Sequence, residues 1–252
     1  MFPNPWDGGS ARSLETLGFH ALATSSAACA ATLGRRDGKI TRDEALAHCR
    51  QIVQATNLPV AADLENGFAV EPASVAETIR LAAAAGLVGG SIEDSSADKD
   101  KPQFDLSLAT DRIAAAVSAA RALPFKFTLT ARAENFSRGN HDLDDAIKRL
   151  MAFERAGADV LFAPGLPDLV AVRQVCSAVG RPVNFMVGIK GKSFTVAELT
   201  AAGVKRISFA SSLYRAAMTN FLNAAQEIKA SGSFGYLENT ITTAQLNEFL
   251  AP

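Results

Sequence analysis

The sequence is poor in the residues that staple, span or stack. Its three cysteines, Cys29, Cys49 and Cys176, are an odd number at wide spacing, which argues against a disulfide framework and fits reduced thiols in a cytoplasmic protein. Its histidines, His20, His48 and His141, lie too far apart for a zinc-binding spacing. Aromatic residues make up 7% of the chain, with a single Trp, and their scatter reads as core or lid packing rather than a base-stacking surface. Neither charge dominates: Lys and Arg number 25, Asp and Glu 26, for a net charge of −1. That balance argues against a nucleic-acid partner. No apolar run approaches the ~20 residues needed to cross a bilayer. The start lacks a basic segment followed by an apolar one, so no membrane span and no signal peptide are expected. No Gly-x-Gly-x-x-Gly occurs. Gly191-Lys192-Ser193 looks like the end of a phosphate-binding loop, but Met186 stands where the loop needs its first glycine.

What is present is an alternation. The chain has 252 residues, 48% of them hydrophobic, close to the roughly 250 residues typical of a (β/α)8 barrel. Short, nearly continuous apolar runs predict buried parallel strands at Phe2–Trp6, His20–Thr24, Pro59–Leu64, Gly89–Glu93, Phe127–Arg132, Asp159–Pro164, Pro182–Val187 and Arg206–Ala210. Between them lie helical patterns at Ser10–Leu17, Thr41–Thr56, Pro72–Ala85, Asp105–Leu123, Asp142–Ala156, Pro167–Val179, Thr195–Ala202 and Ser212–Ser231, with an extra one at Thr242–Leu250. Thr41 with Glu44 forms a capping-box signature. The reading is an α/β fold, a closed (β/α)8 TIM barrel in one domain over 1–252, with 232–252 a C-terminal helical extension. An open doubly wound sheet is the alternative.

Barrel chemistry collects at the C-terminal ends of strands. Three consecutive candidate strands end in Asp63-Leu64-Glu65-Asn66, Glu93-Asp94 and Arg132-Ala133-Glu134. Carboxylates crowded at one mouth repel unless something neutralises them. Asp63, Glu65 and Glu93 offer only oxygen donors, which select Mg2+ or Mn2+, and Arg132 beside them would face an anionic substrate. The blander reading of each carboxylate is a helix cap or turn former. His20 is expected at a strand start on the far face, His48 on a helix surface, and His141 in a βα loop within reach of substrate.

The chain resembles the isocitrate lyase/phosphoenolpyruvate mutase superfamily. The matching segments are Pro3-Asn4-Pro5-Trp6-Asp7, Ala23-Thr24-Ser25-Ser26-Ala27, Gly34-Arg35-Arg36-Asp37-Gly38, Ala62 to Gly67, Ile92-Glu93-Asp94-Ser95, Thr130 to Glu134 and Gly157 to Gly165, in family order. Family members usually carry a helix before the Pro-Asn-Pro-Trp-Asp strand, on which this chain almost begins. The resemblance implies a barrel whose last helices are swapped between subunits, in a homodimer or homotetramer, and a Mg2+-dependent enzyme acting on small 2-oxo acids. It implies Asp63 as direct metal ligand, with Asp37, Glu65 and Glu93 holding metal-bound waters; Glu65 replaces a more usual Asp. It implies Arg132 on the substrate carboxylate or oxyanion, and Ser25, Ser26 and Ala27 offering hydroxyl and N–H groups. Trp6, Asn66 and Asn184, also on the strands or at their ends, complete the expected substrate-binding set, and Arg132, Asp37 and Glu93 the catalytic one.

One departure narrows the chemistry. Isocitrate and methylisocitrate lyases of the family carry a Lys-Lys-Cys-Gly-His loop after the fourth strand, its Cys serving as acid/base. Here residues 95–104 read SSADKDKPQF, without Cys or His. Phosphonate-handling members carry a Lys-rich gate with an Asn. Lys99 and Lys101 remain here, without that Asn. The expected activity is therefore carbon–carbon lysis of a 2-oxo acid through a metal-stabilised enolate, first of all decarboxylation of an oxaloacetate-like acid, with residues 95–104 as lid. Phosphoenolpyruvate mutase or phosphonopyruvate hydrolase-like chemistry, and an inactive 2-oxo-acid-binding paralogue, are the alternatives.

Overall fold

Seven short strands pair in parallel in chain order: β1 (Leu22–Ala23), β2 (Val60–Asp63), β3 (Gly89–Glu93), β4 (Thr128–Arg132), β5 (Val160–Phe162), β6 (Val183–Met186) and β7 (Arg206–Ser208). The computed structural model describes residues 1–96 and 98–250. Each strand is linked to the next by helix, as parallel pairing requires. The helices are α1 (Gly8–Thr16), α2 (Ser26–Thr32), α3 (Arg42–Gln54), α4 (Pro72–Ala84), α5 (Leu106–Arg121), α6 (Leu143–Arg155), α7 (Leu169–Ala178), α8 (Val196–Ala201), α9 (Ser212–Ser231) and α10 (Thr243–Leu250). The fold is a nearly closed TIM-type barrel.

The expected first strand, Phe2–Trp6, is not a regular strand among the described residues. It closes the gap between β7 and β1 through a single parallel bridge, Phe2 with Ser208. The Phe2 N–H donates to the Ile207 carbonyl at 2.7 Å, and the Ala23 N–H donates to the Pro3 carbonyl at 3.1 Å. Pro3 and Pro5 have no N–H to donate, so the ladder cannot continue through them.

Local chemistry sets the helix starts. Thr41 and Thr195 each close a capping box, with Glu44 and Glu198. Pro72 occupies the first turn of α4, where its missing N–H costs nothing. Ser26–Thr32, which carries none of the expected helical patterns, forms α2: Ser25 caps it, its side chain accepting from the Ala28 N–H. Apolar helix faces pack on the sheet's outer side, with Ile79, Leu87, Ile92, Phe127, Leu129, Phe153 and Leu161 in one continuous core. His48 belongs to this interior rather than to a helix surface. It is 8% exposed, and its Nε2 sits 2.8 Å from the Trp6 carbonyl. Burial lowers its pKa.

Arg112 on α5 is a second buried polar anchor. Its guanidinium donates to the carbonyls of Asn66, Ala69 and Val70 and lies 4.2 Å from the centre of the Phe104 ring. One cation thereby fixes both the loop after β2 and the far end of residues 95–104. α9 differs from the other long helices in having no buried residue. α10 packs back on α1, where the Thr16 hydroxyl donates to the Phe249 carbonyl at 3.1 Å. Residues 251 and 252 of the expected extension, and Ala97 of the expected lid, lie outside the described residues.

β3 and β4 approach too closely for a side chain at Gly89. A Cβ there would lie 2.9 Å from the Thr128 carbonyl oxygen, a backbone atom with nowhere to retreat. Gly89→Ala should therefore destabilise the fold by about 1–3 kcal/mol, read as a lowered midpoint in urea. An unchanged midpoint would show that the two strands separate freely.

Candidate active site

The site is built along one row of the sheet. Register pairs Glu93 with Arg132, Arg132 with Phe162, Phe162 with Asn184, and Asn184 with Arg206. The row thus carries a carboxylate, a guanidinium, an aromatic ring, an amide and a second guanidinium around the barrel.

Arg132 is its centre. Its Nη1 lies 3.2 Å from Glu93 and 3.6 Å from Asp63, and its Nε contacts Glu134. The guanidinium lies 5.2 Å from the centre of the Phe162 ring. Burial acts to lower its pKa, but the charges of Glu134, Glu93 and Asp63 outweigh that and raise it well above the ordinary value. The cation is permanent at any working pH.

Asp63 ends β2 in a defined orientation. One carboxylate oxygen accepts the Ser26 N–H at 3.2 Å, the other the Glu65 N–H at 3.2 Å. The Ser26 N–H expected to meet substrate is therefore already committed to Asp63. Glu65 follows in the left-handed region at φ 49°, a conformation a side chain rarely adopts. Its Oε1 is buried without a hydrogen-bond partner. Glu93 is 6% exposed, accepting from the Ser95 hydroxyl and from Arg138 Nη2.

Asp37, on an exposed rim loop, joins Ser26, Glu65, Glu93, Arg132 and Arg138 around a polar pocket of about 110 Å³. Three of the four residues expected at a metal site, Asp37, Glu65 and Glu93, thus meet, and the fourth, Asp63, is hydrogen-bonded to Ser26 and Glu65 of the same wall. Burial raises the Asp37 carboxyl, and the charge of Asp63 adds to it. Glu65 is pushed up to about 8, by burial first and then by the charges of Asp63, Asp37 and Glu93.

These residues fit a hard divalent cation. Among the described residues no three Asp, Glu, His or Cys side chains form a direct coordination shell. The arrangement suits an ion touched by one or two carboxylates and held otherwise through water, as Mg2+ prefers. The unpartnered Glu65 oxygen is the observation that asks for such an occupant.

Other expected residues are placed differently. Trp6 packs edge-on against Tyr214 at 5.7 Å and does not line the two pockets that hold the carboxylates. The Asn66 amide is spent on backbone, donating to the Ser95 carbonyl at 3.2 Å and accepting from the Phe68 N–H at 3.1 Å; it ties the β2 loop to the lid. Asn184 is 2% exposed, and both ends of its amide are engaged, with Ser208 and Arg206. Ser25 and Ala27 lie at the start of α2. His141 is exposed beside Phe136 and lines none of these pockets.

Three residues were not foreseen. Glu134 is 1% exposed, and burial holds its carboxyl up at about 7 against the pull of Arg132. Arg138 bridges Glu93 and Glu134 at 3.3 and 3.9 Å. Arg206 enters the barrel interior from the start of β7. Glu134 stood two residues after Arg132 and was the one legible signal. A strand-start arginine reads as belonging to the far face, so Arg206 gave none.

Residues 1–229 match the family model described as phosphoenolpyruvate phosphomutase. The chain belongs to the phosphoenolpyruvate mutase/isocitrate lyase superfamily. It is 32% identical to the 2-methylisocitrate lyase of Escherichia coli K12, over 79% of this chain and 69% of that protein. A Burkholderia cenocepacia J2315 structure described as a lyase/mutase is 52% identical, covers 100% of this chain and 91% of that one, and superposes with a TM-score of 0.97. Oxaloacetate acetylhydrolase bound to its product oxalate is 26% identical, over 99% of this chain and 88% of that one, with a TM-score of 0.88.

Glu65 makes the superfamily site sensitive to pH when no divalent cation is bound. The unfolded carboxyl ionises near 4.5, the folded one near 8. The unfolded chain therefore gives up this proton first, and stability falls as pH rises from about 4.5 to 8. In chelator, Glu65→Gln should raise the melting temperature more at pH 8 than at pH 5. A difference independent of pH would contradict the burial of a protonatable Glu65.

Proposed function

We propose that the chain is a Mg2+-dependent lyase of 2-oxo acids, acting first of all in decarboxylation of an oxaloacetate-type acid. The observation that carries this is Arg132, held between Asp63, Glu93 and Glu134 at the edge of a polar pocket where Glu65 keeps an unpartnered oxygen. Asp63 would hold the cation directly. Asp37, Glu65 and Glu93 would orient its waters, and Mn2+ could replace Mg2+. When bound, the cation supplies Lewis acidity to the keto oxygen of the substrate.

The remaining work falls to this chain. Arg132 presents a fixed positive charge to the substrate carboxylate and to the negative charge that develops on the keto oxygen. Glu134 and Arg138 hold Arg132 and Glu93 in place. Gln103 and Phe104 anchor the expected lid beside the site: Gln103 donates to Asp94 and Asn135, and the Phe104 N–H donates to the Asp94 carbonyl at 2.8 Å. The bond between C3 and the leaving carboxylate breaks while the lid residues limit access of bulk water. Its electron pair stays on C3, CO2 departs, and a proton returns to C3 from a water molecule admitted after CO2 leaves. This route asks for no acid/base Cys, in keeping with a lid that has neither Cys nor His. For the same reason the methylisocitrate lyase activity named for the Escherichia coli relative is not carried over.

Purified protein with Mg2+ and oxaloacetate should release pyruvate. Asp63→Ala should lower kcat/KM at least about 100-fold, equivalent to roughly 2.7 kcal/mol of transition-state stabilisation, and oxalate with Mg2+ should raise the melting temperature of the wild type. Phosphate release from phosphonopyruvate without pyruvate release from oxaloacetate would replace this reading with carbon–phosphorus chemistry. Oxalate binding without turnover of any 2-oxo acid would replace it with an inactive binding paralogue.

A second copy of the chain belongs over α9. This 20-residue helix buries none of its residues, yet presents Phe221 at 61% and Leu222 at 51% exposure. Contiguous apolar surface of this kind marks an interface, in keeping with a homodimer or homotetramer. Phe221→Asp should shift the protein to monomer in sedimentation velocity. A wild type that already sediments as monomer removes the assignment.

A further inference from the structure

Arg206 is a half-buried cation inside the barrel that the proposed reaction leaves unused. It lines a cavity of about 60 Å³ inside the barrel together with Asp63, Arg132, Asn184 and Ser208. Its Nε donates to Asn184 Oδ1 at 2.9 Å and its Nη2 to the Thr130 hydroxyl at 2.8 Å. The Phe2 ring lies 5.2 Å away. Both hydrogen-bond acceptors are neutral. Among the described residues no carboxylate pairs with this guanidinium, and its Nη1 has no protein partner. Arg132, in the same cavity wall, is held by three carboxylates, and Arg112 uses three carbonyls. A guanidinium taken out of water normally finds an anion. Burial accordingly pushes the Arg206 pKa down to about 10.

The cavity has room for about four water molecules, and so for a carboxylate with its neighbouring methylene. The Asn184 amide already holds Ser208 and Arg206, and Arg132 is held by carboxylates, so the cationic donor in this wall without a carboxylate partner is Arg206, through Nη1.

We propose that Arg206 is a second anion-recognition point, inside the barrel, which receives the carboxylate at the inner end of a dicarboxylic ligand while the outer end lies at the Arg132 mouth. The substrate class is then dicarboxylic rather than monocarboxylic 2-oxo acids, which rests on the 2-oxo-acid reading above. Asn184 acts by holding Arg206, not by touching the ligand. Thr130 and Asn184 fix the guanidinium plane, so the recognition depends on Arg geometry and not on charge alone.

Calorimetry on the Mg2+-loaded protein tests this with malonate, succinate and 2-oxoglutarate set against propionate and pyruvate. The wild type should bind at least one dicarboxylate about ten-fold more tightly than the monocarboxylates. Arg206→Met should reduce that preference to under two-fold while leaving pyruvate affinity unchanged. Arg206→Lys should restore only part of it. A preference that survives Arg206→Met, or a wild type without one, overturns the proposal. Should Arg206→Met fail to fold by circular dichroism, the wild-type panel and Arg206→Gln decide on the same criteria. The two readings separate cleanly. Turnover of 2-oxo acids without an Arg206-dependent preference removes the inner site and leaves the reaction. An Arg206-dependent preference without turnover removes the reaction and leaves the site.

Discussion

The Arg132 guanidinium among Asp63, Glu93 and Glu134 is the interaction on which the mouth of this barrel depends. Three carboxylates at consecutive strand ends repel one another in a partly desolvated space. One permanent cation among them makes their close approach tolerable. It draws Asp63 and Glu93 toward a common centre and leaves Glu65 without an ion-pair partner among the described residues. Burial first, and then the neighbouring carboxylates, raise the Glu65 and Asp37 carboxyls.

The supporting parts are arranged so that the centre cannot drift. Asp63 is pinned by two backbone N–H groups, and its own N–H donates to the Thr24 hydroxyl. The loop after β2 hangs from Arg112, which also stacks on Phe104 at the end of the lid. Asp94 links that same lid to α6, through Arg149 at 3.0 Å. Both ends of the lid are therefore tied to the elements that carry the carboxylates.

Much of the fold was readable from the chain. The capping boxes at Thr41 and Thr195, the proline in the first turn of α4 and the glycines closing helices are local signals, and the structure follows them. The errors came where a local pattern met a nonlocal constraint. Phe2–Trp6 has strand-like apolar character, but two prolines deny it a ladder. Ser25, Ser26 and Ala27 were expected to offer hydroxyl and N–H groups to substrate, but Ser25 caps a short helix, and its neighbour's N–H is taken by Asp63. His48 sits in a polar-looking stretch, but α3 turns it toward the Trp6 carbonyl. Asn184 lines the inner cavity with Asp63 and Arg132 while its amide also holds Arg206, and the Asn66 amide bonds backbone.

The chain by itself determined the βα rhythm and the acidic strand ends, because strand and helix periodicity, caps and turn residues are properties of neighbouring residues. It also marked Asp37, Glu65, Glu93 and Arg132, since motif order survives without coordinates. Tertiary structure alone decided which charges meet and which remain unpaired. The stagger of a parallel barrel joins Glu93, Arg132, Phe162, Asn184 and Arg206 into one row, although they are far apart in sequence. Hydrogen-bond partners along that row, and the burial around it, leave Glu65 and Arg206 with unmet valences. Those depend on distances across the barrel, which no local pattern encodes.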